Sequence, residues 1–172
     1  MTEVLASPVV WTVALVAFQR GAELVVSAIN TRRLLARGAR EVGGAHYPFF
    51  VVLHASWLIA ILVAAPWERW PEPILISVFV ALQLARVWVI ATLGPYWTTR
   101  IITLDSAPLV TGGPFRFVRH PNYLIVTAEI AILPLAFGLW WVAGAWSVLN
   151  ALLLRHRIGI EMSAISGRDA LS

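Results

Sequence analysis

The sequence predicts an all-α integral membrane protein with about five transmembrane helices, the last two folded as a tight hairpin. Three observations carry this reading. Of 172 residues, 59% are hydrophobic and only 13% charged, with a mean hydropathy of +0.78; a soluble domain has about 45–50% apolar and about 25% charged residues. The apolar residues gather in stretches of about 20, the length that crosses a bilayer as a helix. Ten of the thirteen arginines fall outside these stretches, in three segments that five crossings place on one side.

The first stretch runs from Pro8 to Ile29. No basic region precedes it and it outlasts the apolar centre of a secretion signal, so it is expected to stay as a membrane span. The second runs from Pro48 to Trp67 and the third from Pro73 to Leu93. A fourth apolar region, Asn122 to Leu154, is too long for one span and short for two, and Pro134 and Gly138 interrupt it. Two short helices are expected, 122–137 and 139–164. The second continues past the lipid, because Arg155, Arg157 and Glu161 follow without a breaker until Gly167. Residues 1–172 thus read as one membrane domain, with a three-helix part at 1–93 and a loop, hairpin and helix extension at 94–172.

Charge sets the expected orientation. Arg32, Arg33, Arg37 and Arg40 lie in one connection, Arg100, Arg116 and Arg119 in another, and Arg155, Arg157 and Arg168 in the tail. The remaining connections carry only Arg69, beside Glu68 and Glu72. The positive-inside rule puts the three Arg-rich segments in the cytoplasm and the N-terminus outside. A net charge of +4 gives no reason to expect a nucleic-acid partner. The absence of Cys excludes disulfides, thiolate nucleophiles and Cys-ligated metal, and the four His show no metal-ligand spacing. Neither G-x-G-x-x-G nor G-x-S-x-G occurs, so dinucleotide-fold and serine-hydrolase chemistry are not indicated.

The connection at 94–121 is long, rich in Gly, Pro and aromatics, and carries Trp97, Ile101, Leu104, Leu109, Val110 and Phe115 to pack. An ordered functional loop is expected. Its densest polar run is Gly112-Gly113-Pro114-Phe115-Arg116-Phe117-Val118-Arg119-His120-Pro121-Asn122-Tyr123. Pro121 suits the first turn of a helix, whose N–H groups and dipole favour an anion. Arg116 and Arg119 add positive charge, and His120 and Tyr123 share a helix face. Together they describe a cationic, hydrogen-bonding pocket mouth at the membrane surface, suited to a carboxylate or phosphate; the plainer alternative is a clamp on lipid headgroups. Arg157 and Glu161 stand one helical turn apart, either as a surface ion pair or as two site residues facing the loop. Gln19, Arg20, Glu23, His54, Gln83, Arg86 and Glu129 fall inside spans, where ionisable groups face a bundle interior or wet cavity. Arg20 and Glu23 can neutralise each other, Arg86 needs a partner, for which Glu129 is a candidate, and His54 is expected to bond between helices.

The run from Leu109 to Tyr123 resembles the signature of the integral-membrane methyltransferases, the isoprenylcysteine carboxyl methyltransferases and related phospholipid methyltransferases. Their pattern is roughly Leu-Val-x-x-Gly-Pro-Tyr-Arg-x-x-Arg-His-Pro-x-Tyr, with Phe115 here in place of its Tyr. An apolar hairpin and an Arg-x-x-x-Glu segment follow in the family, matched by Arg157 and Glu161, with Met162 where a second Glu often stands. The likeness covers residues 94–165. It implies S-adenosylmethionine as cofactor, bound under the loop on the cytoplasmic side by Leu109, Val110, Phe115, His120, Pro121, Asn122, Tyr123 and Glu161, with Arg157 orienting the methyl acceptor. The acceptor implied is a lipophilic or lipidated molecule, with a carboxylate, enol or phenol oxygen, arriving from the bilayer. The short chain with Arg as its only basic side chain resembles bacterial members, which implies a bacterial cytoplasmic membrane and acceptors such as long-chain alkylpyrones. Two other readings compete. Arg-His-Pro-Asn-Tyr also resembles the end of the NADPH-dependent sterol reductases, although Leu124, Ile125 and Val126 replace the residues that follow there. A non-enzymatic lipid-binding membrane protein would use the same run only as a headgroup clamp.

Overall fold

The computed structural model describes residues 6–104 and 110–169, with side chains to Glu161. It is all-helical apart from one small ribbon. Helix α1 spans Pro8–Ala36. Ser7 caps it, its Oγ accepting from the Val10 amide at 3.3 Å and donating to the Trp67 carbonyl at 2.6 Å. At 1.5 Å per residue α1 is about 43 Å long, so it runs past the bilayer core and carries Arg32 and Arg33 beyond it. Helix α2 spans Tyr47–Ala64 and α3 spans Pro73–Leu93. Glu72 caps α3 through a carboxylate bond from the Leu75 amide at 2.7 Å, and its own amide donates to the Ala136 carbonyl at 2.8 Å.

Helix α4 spans Pro121–Ala136 and α5 spans Trp140–Asp169. The expected hairpin forms, but Gly138 makes it and Pro134 does not. Pro134 stays inside the last turn of α4. Gly138 adopts φ +72°, and the Leu139 amide reaches back to the Pro134 carbonyl at 2.9 Å, a helix stop that needs a left-handed residue.

Among the described residues, α1, α2 and α3 are long and apolar enough to cross a membrane, while α4 is shorter. Trp57, Ile61, Phe79, Ile130, Leu133, Phe137 and Val142 form the centre of the core. The Trp57 indole donates to the Ile130 carbonyl at 3.2 Å and the Trp146 indole to Ser56 Oγ at 3.1 Å, fixing α2 to α4 and α5. Leu15, Phe18, Val63, Ile74, Leu84 and Leu152 point outward and are exposed. So much outward apolar surface belongs against lipid, not water.

The connection at 94–121 is ordered where it is described, and it is pinned by a partner that the sequence reading does not anticipate. Ile101–Thr103 pairs antiparallel with Arg40–Val42, in the register Arg40↔Thr103 and Val42↔Ile101. The Arg100 guanidinium donates to both Glu41 carboxylate oxygens, at 2.8 and 3.0 Å, and covers the Tyr47 ring. A helical turn at Gly113–Arg116 then leads into α4. Gly113 has φ +57°, and a Cβ there would fall 2.6 Å from Thr92 Oγ1 on α3, so the loop crosses α3 only where no side chain intervenes.

Candidate active site

The start of α4 and the extension of α5 meet under the loop. The Tyr123 hydroxyl donates to Glu161 Oε1. Arg157 Nε donates to the Tyr123 hydroxyl at 2.8 Å and to Glu161 Oε1 at 3.3 Å, and another of its nitrogens donates to the Thr99 carbonyl at 2.9 Å. Arg157 and Glu161 are thus not a surface pair: both are largely buried, and Arg157 ties α5 to α4 and the loop. The Arg157 guanidinium lies against the Phe50 and Tyr123 rings. The His120 ring stacks on Tyr123 with centroids 5.3 Å apart and planes 8° apart.

Two cavities open here. The smaller, about 340 Å³, lies beneath the loop against the ribbon residues Ile101, Ile102 and Thr103, and falls within the roughly 300–1,000 Å³ of small-molecule sites. Phe115, His120, Pro121, Asn122, Tyr123, Arg157 and Glu161 all line it, as do Arg100 and Arg119. Among the described residues Val110 does not; it is half-buried, and Leu109 and the Met162 side chain lie outside the described residues. The larger cavity, about 490 Å³, runs between α1, α2 and α4, with apolar walls. Leu24, Val51 and Ile59 line it while being exposed on the outer faces of α1 and α2, so it opens sideways toward lipid. Trp97, Thr98, Asn122, Tyr123 and Arg157 belong to both cavities, which therefore meet at the Tyr123–Arg157 contact.

The helix start offers fewer amides than the sequence suggests. Pro121 has none, and the Tyr123 amide turns back on the His120 carbonyl at 3.1 Å. Positive charge at the cavity comes instead from Arg119 and Arg100. Among the described residues, the hydrogen bonds of Glu161 fall on Oε1 and Oε2 takes none.

A buried ion network forms the floor of the larger cavity. Arg86 donates to both oxygens of Glu23 at 2.8 Å, and Arg20 bonds Glu23 at 2.9 Å and Glu129 at 2.6 Å. Arg86 approaches Glu129 at 3.6 Å and donates to Asn122 Oδ1 at 3.3 Å. Gln83 and Gln19 close the set. Arg86 is therefore paired first with Glu23 and only more loosely with Glu129. Among the described residues His54 makes no hydrogen bond between helices, contrary to expectation; its Nδ1 bonds the Phe50 carbonyl of its own helix at 2.8 Å. Sequence reasoning also missed Thr98 and Thr99, whose only signal was their place a few residues past the end of α3.

The chain is 31% identical over 159 residues to uncharacterized protein YpbQ of Bacillus subtilis (strain 168), covering 89% of this chain and 94% of that protein. It is 25% identical over 148 residues to an uncharacterized protein of Haemophilus influenzae, covering 83% of this chain and 86% of the other. No solved structure matches. The model of the isoprenylcysteine carboxyl methyltransferase (ICMT) family matches residues 74–166, from α3 through both walls of the smaller cavity. The chain belongs to the isoprenylcysteine carboxyl methyltransferase family, and that membership supports a membrane-bound methyltransferase.

Proposed function

We propose that the protein transfers a methyl group from S-adenosylmethionine to an oxygen of a lipophilic acceptor. The observation that carries this is the meeting of a polar cavity under the loop with an apolar, laterally open cavity at Asn122, Tyr123 and Arg157. A reaction between a water-borne donor and a lipid-borne acceptor needs two such chambers and one point of contact.

The polar chamber suits the cofactor by its donor set. Glu161 Oε2 can pair with a cationic group, Arg119 or Arg100 with a carboxylate, and Phe115 and the His120–Tyr123 stack with a flat ring or a sulfonium. S-adenosylmethionine supplies an electrophilic methyl group on sulfur. The chain's own contribution is alignment and exclusion of water. Arg157, held by Tyr123 and the Thr99 carbonyl, stands at the junction with N–H groups to orient the acceptor oxygen. The apolar walls of the larger chamber hold the acceptor's hydrocarbon part out of the polar one.

The test is transfer of label. Purified protein in detergent, given methyl-tritiated S-adenosylmethionine and a total bacterial lipid extract, should move label into the organic phase. Arg157→Ala should lower that transfer by roughly 10²-fold, the cost of losing alignment, with cofactor affinity retained within a few-fold. Label transfer unchanged in Arg157→Ala would remove this residue from the reaction.

A further inference from the structure

His54, one helical turn along α2 from Phe50, lines the larger cavity, and nothing in the transfer reaction above uses it. Its Nδ1 lies 2.8 Å from the Phe50 carbonyl oxygen. A carbonyl only accepts, so Nδ1 carries a proton. A second proton would place another positive charge in an apolar-walled cavity whose floor already holds Arg20 and Arg86. The ring is therefore neutral, and Nε2 is a lone-pair acceptor.

The carboxylate acceptor of the same cavity is spent. Glu23 takes hydrogen bonds from Gln19, from Arg20 and twice from Arg86, which fills the roughly four lone-pair positions of a carboxylate. Asn122 Oδ1 already accepts from Arg86. The arginine charges are paired as well, Arg20 and Arg86 with Glu23 and Glu129, and Arg157 with Glu161, although Arg20 Nε is buried without a hydrogen-bond partner among the described residues. Among the described residues, His54 Nε2 is the ring-nitrogen acceptor of a cavity whose carboxylate is already filled.

We infer that His54 recognises a hydroxyl hydrogen on the lipophile that occupies the larger cavity, and so sets which acceptors the protein takes. This rests on the larger cavity being the acceptor chamber. A lipophile with a hydroxyl donates to Nε2; its methyl ether leaves Nε2 buried and unpaired, which is the more costly arrangement.

The experiment compares para-dodecylphenol with its methyl ether, binding to the full chain in detergent without cofactor, read by tryptophan fluorescence since Trp97 lines the cavity. Wild type should bind the phenol roughly tenfold more tightly than the ether. His54→Phe should bind both with the affinity of the ether, and His54→Gln, which keeps an acceptor, should retain part of the preference. Wild type that binds neither compound, or does not distinguish them, overturns the inference; so does His54→Phe that keeps the preference. S-adenosylhomocysteine titrated into the same preparations separates this outcome from the methyl-transfer reading. Its binding should match in wild type and His54→Phe, and its failure to bind either would count against methyl transfer alone.

Discussion

Tyr123 is the residue on which the site turns, because its hydroxyl joins two side chains that sequence spacing alone would pair on the surface. It donates to Glu161 and accepts from Arg157, and its ring carries His120. Removing that oxygen leaves Glu161 one donor short while the ring packing stays. Tyr123→Phe should therefore fold normally and weaken S-adenosylhomocysteine binding by roughly tenfold, the worth of one charge-assisted hydrogen bond. Calorimetry on the purified variant checks this; unchanged affinity would mean that the hydroxyl only braces the protein. Asn122 shows the same economy, lining both chambers while its amide orientation is fixed by a guanidinium that can only donate.

At the scale of helices, the ion network joins α1, α3 and α4 where lipid cannot solvate a charge. Arg86→Leu should destabilise the protein by about 3–5 kcal/mol, because Glu23 and Glu129 would then share only Arg20. Replacing Glu23 by Leu as well restores charge balance, leaving Arg20 with Glu129, and should recover most of that loss. Thermal unfolding of the two variants in detergent measures the difference; a double variant no more stable than the single would show that packing, not charge balance, sets the cost. Elements of this kind were partly legible in the sequence. Every helix was visible as an apolar stretch bounded by Pro or Gly, and the motif at 112–123 marked one wall of the smaller cavity. The ribbon against which that cavity lies was not visible. Arg40–Val42 and Ile101–Thr103 are three-residue strands that exist only because they pair with each other, and such short runs carry no periodicity. Of the partners of Arg86, Glu129 was named from the sequence and is found at 3.6 Å, but the closer one, Glu23, was hidden, since it lies 63 positions away and pairing inside a bundle depends on helix rotation. The end of α1 was set too early because a helix continues on propensity and capping beyond the lipid, to Ala36.

Across the whole molecule, the two ends differ in character. One carries exposed Trp67, Trp70 and Trp140 around the α2–α3 connection and the hairpin turn, as residues at a membrane interface do. The other carries exposed Arg32, Arg33, Arg116 and Arg119, and it is the end with the smaller cavity. On the positive-inside rule the arginine end is expected to face the cytoplasm. A reporter fused after Ser172 should read cytoplasmic and one fused before Met1 external; both reading cytoplasmic would require an even number of crossings and would break up the α4–α5 hairpin as two spans.

The most direct test of the two-chamber arrangement is calorimetric titration of S-adenosylhomocysteine and, in parallel, NADPH into wild type, Glu161→Gln and Leu58→Trp. Glu161 lines only the smaller cavity and Leu58 only the larger. The adenosyl compound alone should bind wild type, weaken at least tenfold in Glu161→Gln, and bind Leu58→Trp as it binds wild type. Binding of NADPH instead, or equal binding of the adenosyl compound by wild type and Glu161→Gln, would contradict a methyl-donor chamber beneath the loop.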